Sequence, residues 1–185
     1  MMINKVQIIA EVKIKSPFGF RSNRTWEELF QIANKIGDII SIHTDPKFGG
    51  SFNLVKKAKN LTSKPILAKG LHADNKDIIR ALEAGADYVL IVGRVPEVHI
   101  ERCFIEPLNL NDLCKIPLSN LRVVWNSRDL STGKPKPETF EQARKIWKGW
   151  LCQASYIRNL NDIKSGADAA LIGTHLEEFA KSLGI

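Results

Sequence analysis

Two carboxylates, two lysines and an amide stand at the ends of short apolar runs. Glu11 and Lys13 lie two apart in "IIAEVKIKSP", residues 8–17, so a strand there turns both to one face. Lys69 closes "PILAK", Glu106 closes "CFIE" and Asn126 closes "RVVWN". Acids and lysines crowded together shift one another's pKa values, and a lysine beside a second lysine gives up its proton more easily. Such a group can hold both a proton donor and a proton acceptor near neutral pH. Stability alone is a weaker reason for the pairing, because buried ion pairs often fail to repay their desolvation. Ser155 follows "GWLCQA", and Gly173 and Thr174 follow "ADAALI". A glycine and a hydroxyl ahead of a final helix, with Thr174 as its cap, offer N–H groups to an anion.

The elements that must position these residues alternate along the chain. "VQIIAEVK" reads as a strand and "TWEELFQIANKIG" as a helix, opened by a Thr25–Glu28 capping box and ended by Gly37. The rhythm continues through strands "DIISIHT", "KPILAKG", "ADYVLIVG", "RCFIEPL", "LRVVWN", "GWLCQAS" and "ADAALIG". Helices are expected at "SFNLVKKAKNL", "DNKDIIRALEAG", "LNDLCKI", "PETFEQARKIW", "NLNDIKSG" and "HLEEFAKSL", while "RVPEVHIE" is too short and irregular for one. Several strands are apolar without alternation, as in a parallel sheet covered on both sides. Eight βα units predict a small α/β (β/α)8 TIM barrel, one domain over residues 1–185, with trimmed loops and a reduced fourth helix; about 250 residues is usual for this fold. The chemistry of such a barrel sits at the C-terminal ends of its strands, where all of these polar residues fall. The pattern "AGADYVLI" returns as "SGADAALIG" in unit eight, an echo between the half-barrels.

Composition narrows the class. The chain has 185 residues, 44% hydrophobic and 25% charged, which fits an ordinary globular protein. Its net charge of +7 favours anionic ligands, but the basic residues are scattered, which argues against nucleic acid. No stretch approaches the roughly 18 consecutive apolar residues of a membrane span. The N-terminus has no small-residue cleavage site, so no signal peptide is expected. Cys103, Cys114 and Cys152 lack metal-type spacing and read as reduced thiols of a cytoplasmic protein.

These residues resemble the indole-3-glycerol phosphate synthase family. "IIAEVKIKSP" is similar to its first-strand signature, E-x-K followed by S-P, and "VVWNSRDL" to its sixth-strand N-x-R-D-L run. "ISIHTDPKFGGSF", "PILAKGLHAD", "FIEPLNLNDL" and "SYIRNLNDIKSGADAALIGTHL" resemble its second, third, fifth and last two units. The resemblance implies closure of the indole ring of 1-(2-carboxyphenylamino)-1-deoxyribulose 5-phosphate, with loss of carbon dioxide and water. It implies neither metal nor organic cofactor. It implies Lys69 as general acid on the substrate carbonyl and Glu106 as the acid–base partner in dehydration. Lys13 would hold the substrate carboxylate, Glu11 would orient the lysines and Asn126 would position the substrate. Arg128 would support the mouth, and Ser16, Ser155, Gly173 and Thr174 would take the phosphate. A partner enzyme of the same pathway is a possible associate.

The sequence also departs from that pattern. Only residues 1–5 precede the first strand, where the family carries a covering helical segment. The family's E-S-G-I after strand seven is Ala154-Ser155-Tyr156-Ile157, which loses a glutamate and puts a tyrosine where a glycine meets phosphate. Its K-D-F is Lys69-Gly70-Leu71, which loses an aromatic, and Ile14 replaces a polar residue. These changes leave two alternatives open: a diverged barrel acting on another sugar phosphate, and a non-catalytic barrel that binds a phosphate ligand or a partner.

Overall fold

The structure is a computed structural model that describes residues 6–117 and 120–185; the short segment of residues 1–5 ahead of the first strand lies outside them. Eight parallel strands close in sequence order: β1 (Gln7–Val12), β2 (Ile39–His43), β3 (Ile66–Lys69), β4 (Tyr88–Val92), β5 (Cys103–Glu106), β6 (Arg122–Asn126), β7 (Leu151–Ala154) and β8 (Ala169–Ile172). β8 returns to β1 in the register Ala10↔Ile172. This is a TIM barrel. Outside it run α1 (Trp26–Ile36), α2 (Phe52–Leu61), α3 (Asn75–Glu83), α4 (Leu110–Cys114), α5 (Phe140–Ile146) and α6 (Leu176–Ser182).

Local signals explain the helix starts. Thr25 Oγ1 accepts from the Glu28 N–H at 3.2 Å, and Glu28 returns the bond to the Thr25 N–H at 2.8 Å. Ser51, Asp74 and Asn109 cap α2, α3 and α4, each side chain accepting from the N–H three residues on. The fourth connection is reduced as expected, to a single 3-10 turn at Ile100–Arg102. Three expectations fail. "NLNDIKSG" makes only the 3-10 turn Leu160–Asp162, because Gln153 donates to the Asp162 carbonyl at 3.0 Å and accepts from the Lys164 N–H at 2.7 Å, drawing that backbone out of a helical path. Thr174 does not cap α6, whose N-cap is His175 with no side-chain bond. Lys13 stands one residue past the end of β1 rather than in it.

Strand parity sorts the side chains into two layers. Ala10, Val12, Ile40, Ile42, Ile66 and Ala68 point outward and pack under the helices. Ile9, Ile39, Leu67, Leu90, Phe104, Val124, Cys152 and Leu171 point inward and fill the barrel. At the lower end Phe104 lies 5.1 Å from the rings of both Tyr88 and Trp150, with the Arg122 guanidinium 4.9 Å above Tyr88, forming a solid floor. The lower rim repeats one device: Asp38, Asp87 and Asp168 accept from an N–H at the start of the preceding strand, at Ile8 (2.8 Å), Ile66 (2.8 Å) and Leu151 (2.9 Å). The echoed "GAD" segments of units four and eight are two of these three. Gly85 (φ 102°) and Gly166 (φ 84°) supply the left-handed turn before the aspartate.

Candidate active site

The inward parity that fills the barrel with apolar groups continues upward into polar ones: Glu11 above Ile9, Lys69 above Leu67, Glu106 above Phe104, Asn126 above Val124. Glu11 is 1% exposed and is the hub. Its Oε1 accepts from Lys69 Nζ at 3.2 Å, and its Oε2 faces Lys13 Nζ at 3.5 Å. His43, the last residue of β2, brings Nε2 against Oε1 as well. Across the mouth Glu106 Oε1 accepts from Asn126 Nδ2 at 2.8 Å. Asn126 Oδ1 in turn accepts from Ser155 Oγ at 2.7 Å and from the Arg128 N–H at 3.0 Å. The Arg128 side chain donates to the Gly133 carbonyl at 2.7 Å, and its guanidinium lies 4.7 Å from the Tyr156 ring centre.

Burial and charge set the protonation states. Burial alone would raise Glu11, but Lys13, Lys69 and His43 together outweigh it and hold its carboxyl well below the usual range. Burial pulls Lys13 down to about 8; Glu11 opposes, while Lys69 and Arg128 add to the fall. Burial pushes Glu106 up, against Lys69, the Asn126 bond and Lys136, with Glu11 adding to the rise. The two acids are therefore driven apart: Glu11 stays ionised, and Glu106 holds its proton to higher pH than an ordinary carboxyl. That separation is the pattern of an acid–base site.

A cavity of about 560 Å³ opens above this layer, bounded by Lys13, Lys69, Glu106, Asn126, Ser16 and Ser155 among others. Such a volume suits a small organic molecule. A narrow space beside it is walled by Arg128, Ser155, Tyr156, Gly173 and Thr174. Every residue singled out in the sequence borders one of the two. Their surroundings differ from expectation in three ways. Gly173 is required first by Glu11, because a Cβ there would overlap the carboxylate and come within 3.0 Å of Lys13 Nζ. Ser16 Oγ is engaged by its own loop, accepting from the Phe18 and Phe20 N–H groups at 3.3 and 3.4 Å. Ser155 and Tyr156 both adopt left-handed backbone, φ 73° and 59°, a conformation that non-glycine residues rarely hold.

The departures at Lys69-Gly70-Leu71 also find a physical reason. A Cβ at Gly70 would stand 2.5 Å from Thr44 Oγ1, which is paired with His72 Nε2 at 3.0 Å; His72 Nδ1 meets the Leu90 carbonyl at 2.6 Å. That buried network leaves room only for glycine. Leu71 lines the cavity in place of an aromatic, and two rings not singled out in the sequence, Phe18 and Phe48, line it with an edge contact of 6.5 Å. His43 was also missed. It carries the parity of Ile39 and Ser41 and so points inward, which the pattern "IISIH" already contained. Among the described residues no cluster of three or more His, Cys, Asp or Glu side chains could hold a metal ion.

Comparison with known proteins gives a consistent result. A family model described as "Indole-3-glycerol phosphate synthase" matches residues 2–104. The indole-3-glycerol phosphate synthase of Sulfurisphaera tokodaii is 33% identical over 94% of this chain and 79% of its own length. That of Thermococcus kodakarensis is 31% identical over 97% and 92%. The tryptophan biosynthesis protein TrpCD of Archaeoglobus fulgidus is 30% identical over 97% of this chain, which spans 37% of that longer protein. Among solved structures, 3-hexulose-6-phosphate synthase superposes with a TM-score of 0.65 over 96% of this chain and 99% of its own, at 15% identity, which speaks to the fold alone.

Proposed function

The chain belongs to the indole-3-glycerol phosphate synthase family, and from that premise we propose how its mouth performs the ring closure. Membership makes it a lyase of tryptophan biosynthesis; the finer assignment is a carboxy-lyase acting on 1-(2-carboxyphenylamino)-1-deoxyribulose 5-phosphate. The observation that carries this reading is the division of the two buried acids. Ionised Glu11 holds both lysines, and Glu106, raised by burial, stands across from them.

The chemistry then runs as follows. The ring carbon that bears the carboxylate attacks the ketone carbon, and a carbon–carbon bond forms as the carbonyl π electrons move onto oxygen. Lys69 delivers the proton to that oxygen, a role worth roughly 10²–10⁴-fold. The bond to the carboxylate breaks, carbon dioxide leaves, and its electron pair restores the aromatic ring. Lys13 holds the carboxylate until that moment and assists proton transfer; its lowered pKa suits it to both. Glu11 stabilises the positive charge that develops at the anilino nitrogen. Glu106 protonates the new hydroxyl, which departs as water, and the Glu106 carboxylate so formed takes a proton from the adjacent carbon to complete the indole. Asn126 ties Glu106 to Ser155 and positions the substrate. Arg128 braces the mouth, and Ser16, Ser155, Gly173 and Thr174 receive the phosphate.

The whole chain, 1–185, acts as one domain on a small phosphorylated, carboxylated substrate, without nucleic acid. No helix of the described residues is long and apolar enough to cross a membrane, and a cytoplasmic site is the natural one for this chemistry. The match within a longer tryptophan-biosynthesis chain supports a partner enzyme of the same pathway. The test is a fluorescence assay for indole formation on wild type and Lys69→Ala. Turnover that disappears in the variant supports the synthase. Folded wild type without turnover sinks it and favours a different sugar phosphate, to which Tyr156 beside the phosphate space would point.

A further inference from the structure

The end of β2 carries a buried group with no part in the steps above. His43 is 4% exposed and pairs in register with Lys69. Its ring lies flat on Phe48, with centroids 4.3 Å apart and planes 3° from parallel, which fixes the plane of the imidazole. Nε2 lies against Glu11 Oε1 but outside hydrogen-bond geometry, and Nδ1 has no partner among the described residues. The titratable groups that face it are Glu11 and Lys13 from the end of β1 and Lys69 from the end of β3.

Burial holds the His43 pKa down to about 4; Glu11 opposes, while Lys69 and Lys13 add to the fall. The imidazole is therefore neutral at pH 7 and carries one N–H. A carboxylate only accepts, so that hydrogen belongs on Nε2 and Nδ1 is bare. An uncharged donor has a specific use here. Glu11 must offer one oxygen to Lys69 and the other to Lys13, at 3.2 and 3.5 Å. A third cation would repel both lysines. A purely apolar neighbour would leave the carboxylate free to rotate towards one of them.

We propose that His43 is a positioning residue for the ring closure: as the Nε2–H tautomer it anchors Oε1 of Glu11, so that the carboxylate holds Lys69 and Lys13 in separate working positions. The inference rests on the synthase reading for its kinetic consequence, not for its geometry.

The experiment compares wild type, His43→Leu and His43→Gln. In His43→Leu, kcat falls roughly 10- to 100-fold, the scale of a small misplacement of catalytic groups, while KM stays near the wild-type value. The acid limb of the kcat/KM profile moves to higher pH, because Glu11 has lost a donor; Lys13, Lys69 and, across the mouth, Glu106 are the other charges it feels. His43→Gln, whose amide N–H reaches the same oxygen, restores most of kcat and the original limb. Wild-type kcat and pH profile in His43→Leu, or no rescue by His43→Gln, would overturn the proposal. Ring nitrogen NMR decides independently of turnover. The chain has four histidines, and the His43 signals are those missing from His43→Gln. At pH 7 they should report the Nε2–H tautomer and should move in Glu11→Gln. A protonated Nδ1, or no response to Glu11→Gln, refutes the anchor even if wild type proves inactive, an outcome that would sink the synthase reading by itself.

Discussion

The two ends of the barrel use the same residue types in opposite ways. At the lower rim Asp87 and Asp168 are about two-fifths exposed, at 37% and 42%, and lean on Lys59 at 2.8 Å and Arg144 at 3.1 Å. Each also accepts a strand's first N–H. These carboxylates stay wet, and their work is structural. At the mouth Glu11 and Glu106 are 1% and 2% exposed, and Glu11 without its two lysines would be a stranded buried charge. The difference teaches where strain is tolerated. A half-exposed pair contributes at most about 1 kcal/mol and perturbs little, whereas the buried cluster sacrifices stability for shifted protonation states.

The sharpest way to break this contrast is at Lys69. Lys69→Ala should lower kcat/KM by at least about 10²–10⁴-fold, while thermal unfolding finds Tm little changed because Lys13 still faces Glu11; a large drop in Tm would make the mouth a structural element like the rim. Gly173→Ala forces a methyl into the Glu11 carboxylate. It should abolish most turnover and cost roughly 1–3 kcal/mol in chemical denaturation, the range for overpacking. At the rim the expectation reverses: Asp87→Ala strands the Ile66 N–H and costs about 1–3 kcal/mol, while kcat and KM at 25 °C match wild type.

A fourth test concerns pH. Lys13 is lowered from 10.5 to about 8, so kcat/KM should decline as pH rises past about 8, and Lys13→Arg should carry that limb to higher pH. The stability effect has the opposite sense. Between pH 8 and 10.5 the unfolded chain binds more protons at this residue than the folded one, so its contribution to stability rises with pH across that window. Lys13→Met should flatten the rise in a pH series of denaturation midpoints. The smallest effect is expected at Thr25→Ala, which removes the α1 cap and costs about 1 kcal/mol with no kinetic consequence.

Much of this architecture was legible because the signals are local. Eight short apolar runs specify eight strands, and period-2 parity then delivers Glu11, Lys69, Glu106 and Asn126 to one level. What was not legible depends on partners distant in sequence. The segment after β7 carries a good N-cap in Asn159, yet two bonds from Gln153 stop the helix after one turn. Gly70 looks like the loss of a family residue until Thr44, from the loop after β2, pairs with His72 and closes the space around it. His43 reads as one more residue of an apolar strand, because nothing within "IISIH" reveals that Glu11 waits on the neighbouring strand.

The aromatic floor has one consequence for traffic. Tyr88, Phe104, Trp150 and Arg122 seal the lower end, and the inward layer above them is packed through Leu67, Leu90 and Val124. On the proposed reaction, carbon dioxide and water are released above this plug and can leave only by the doorway through which the substrate entered. The bound sugar phosphate is then a stopper over its own by-products. Loosening of the phosphate grip, rather than bond making, becomes a natural point at which the turnover clock is set.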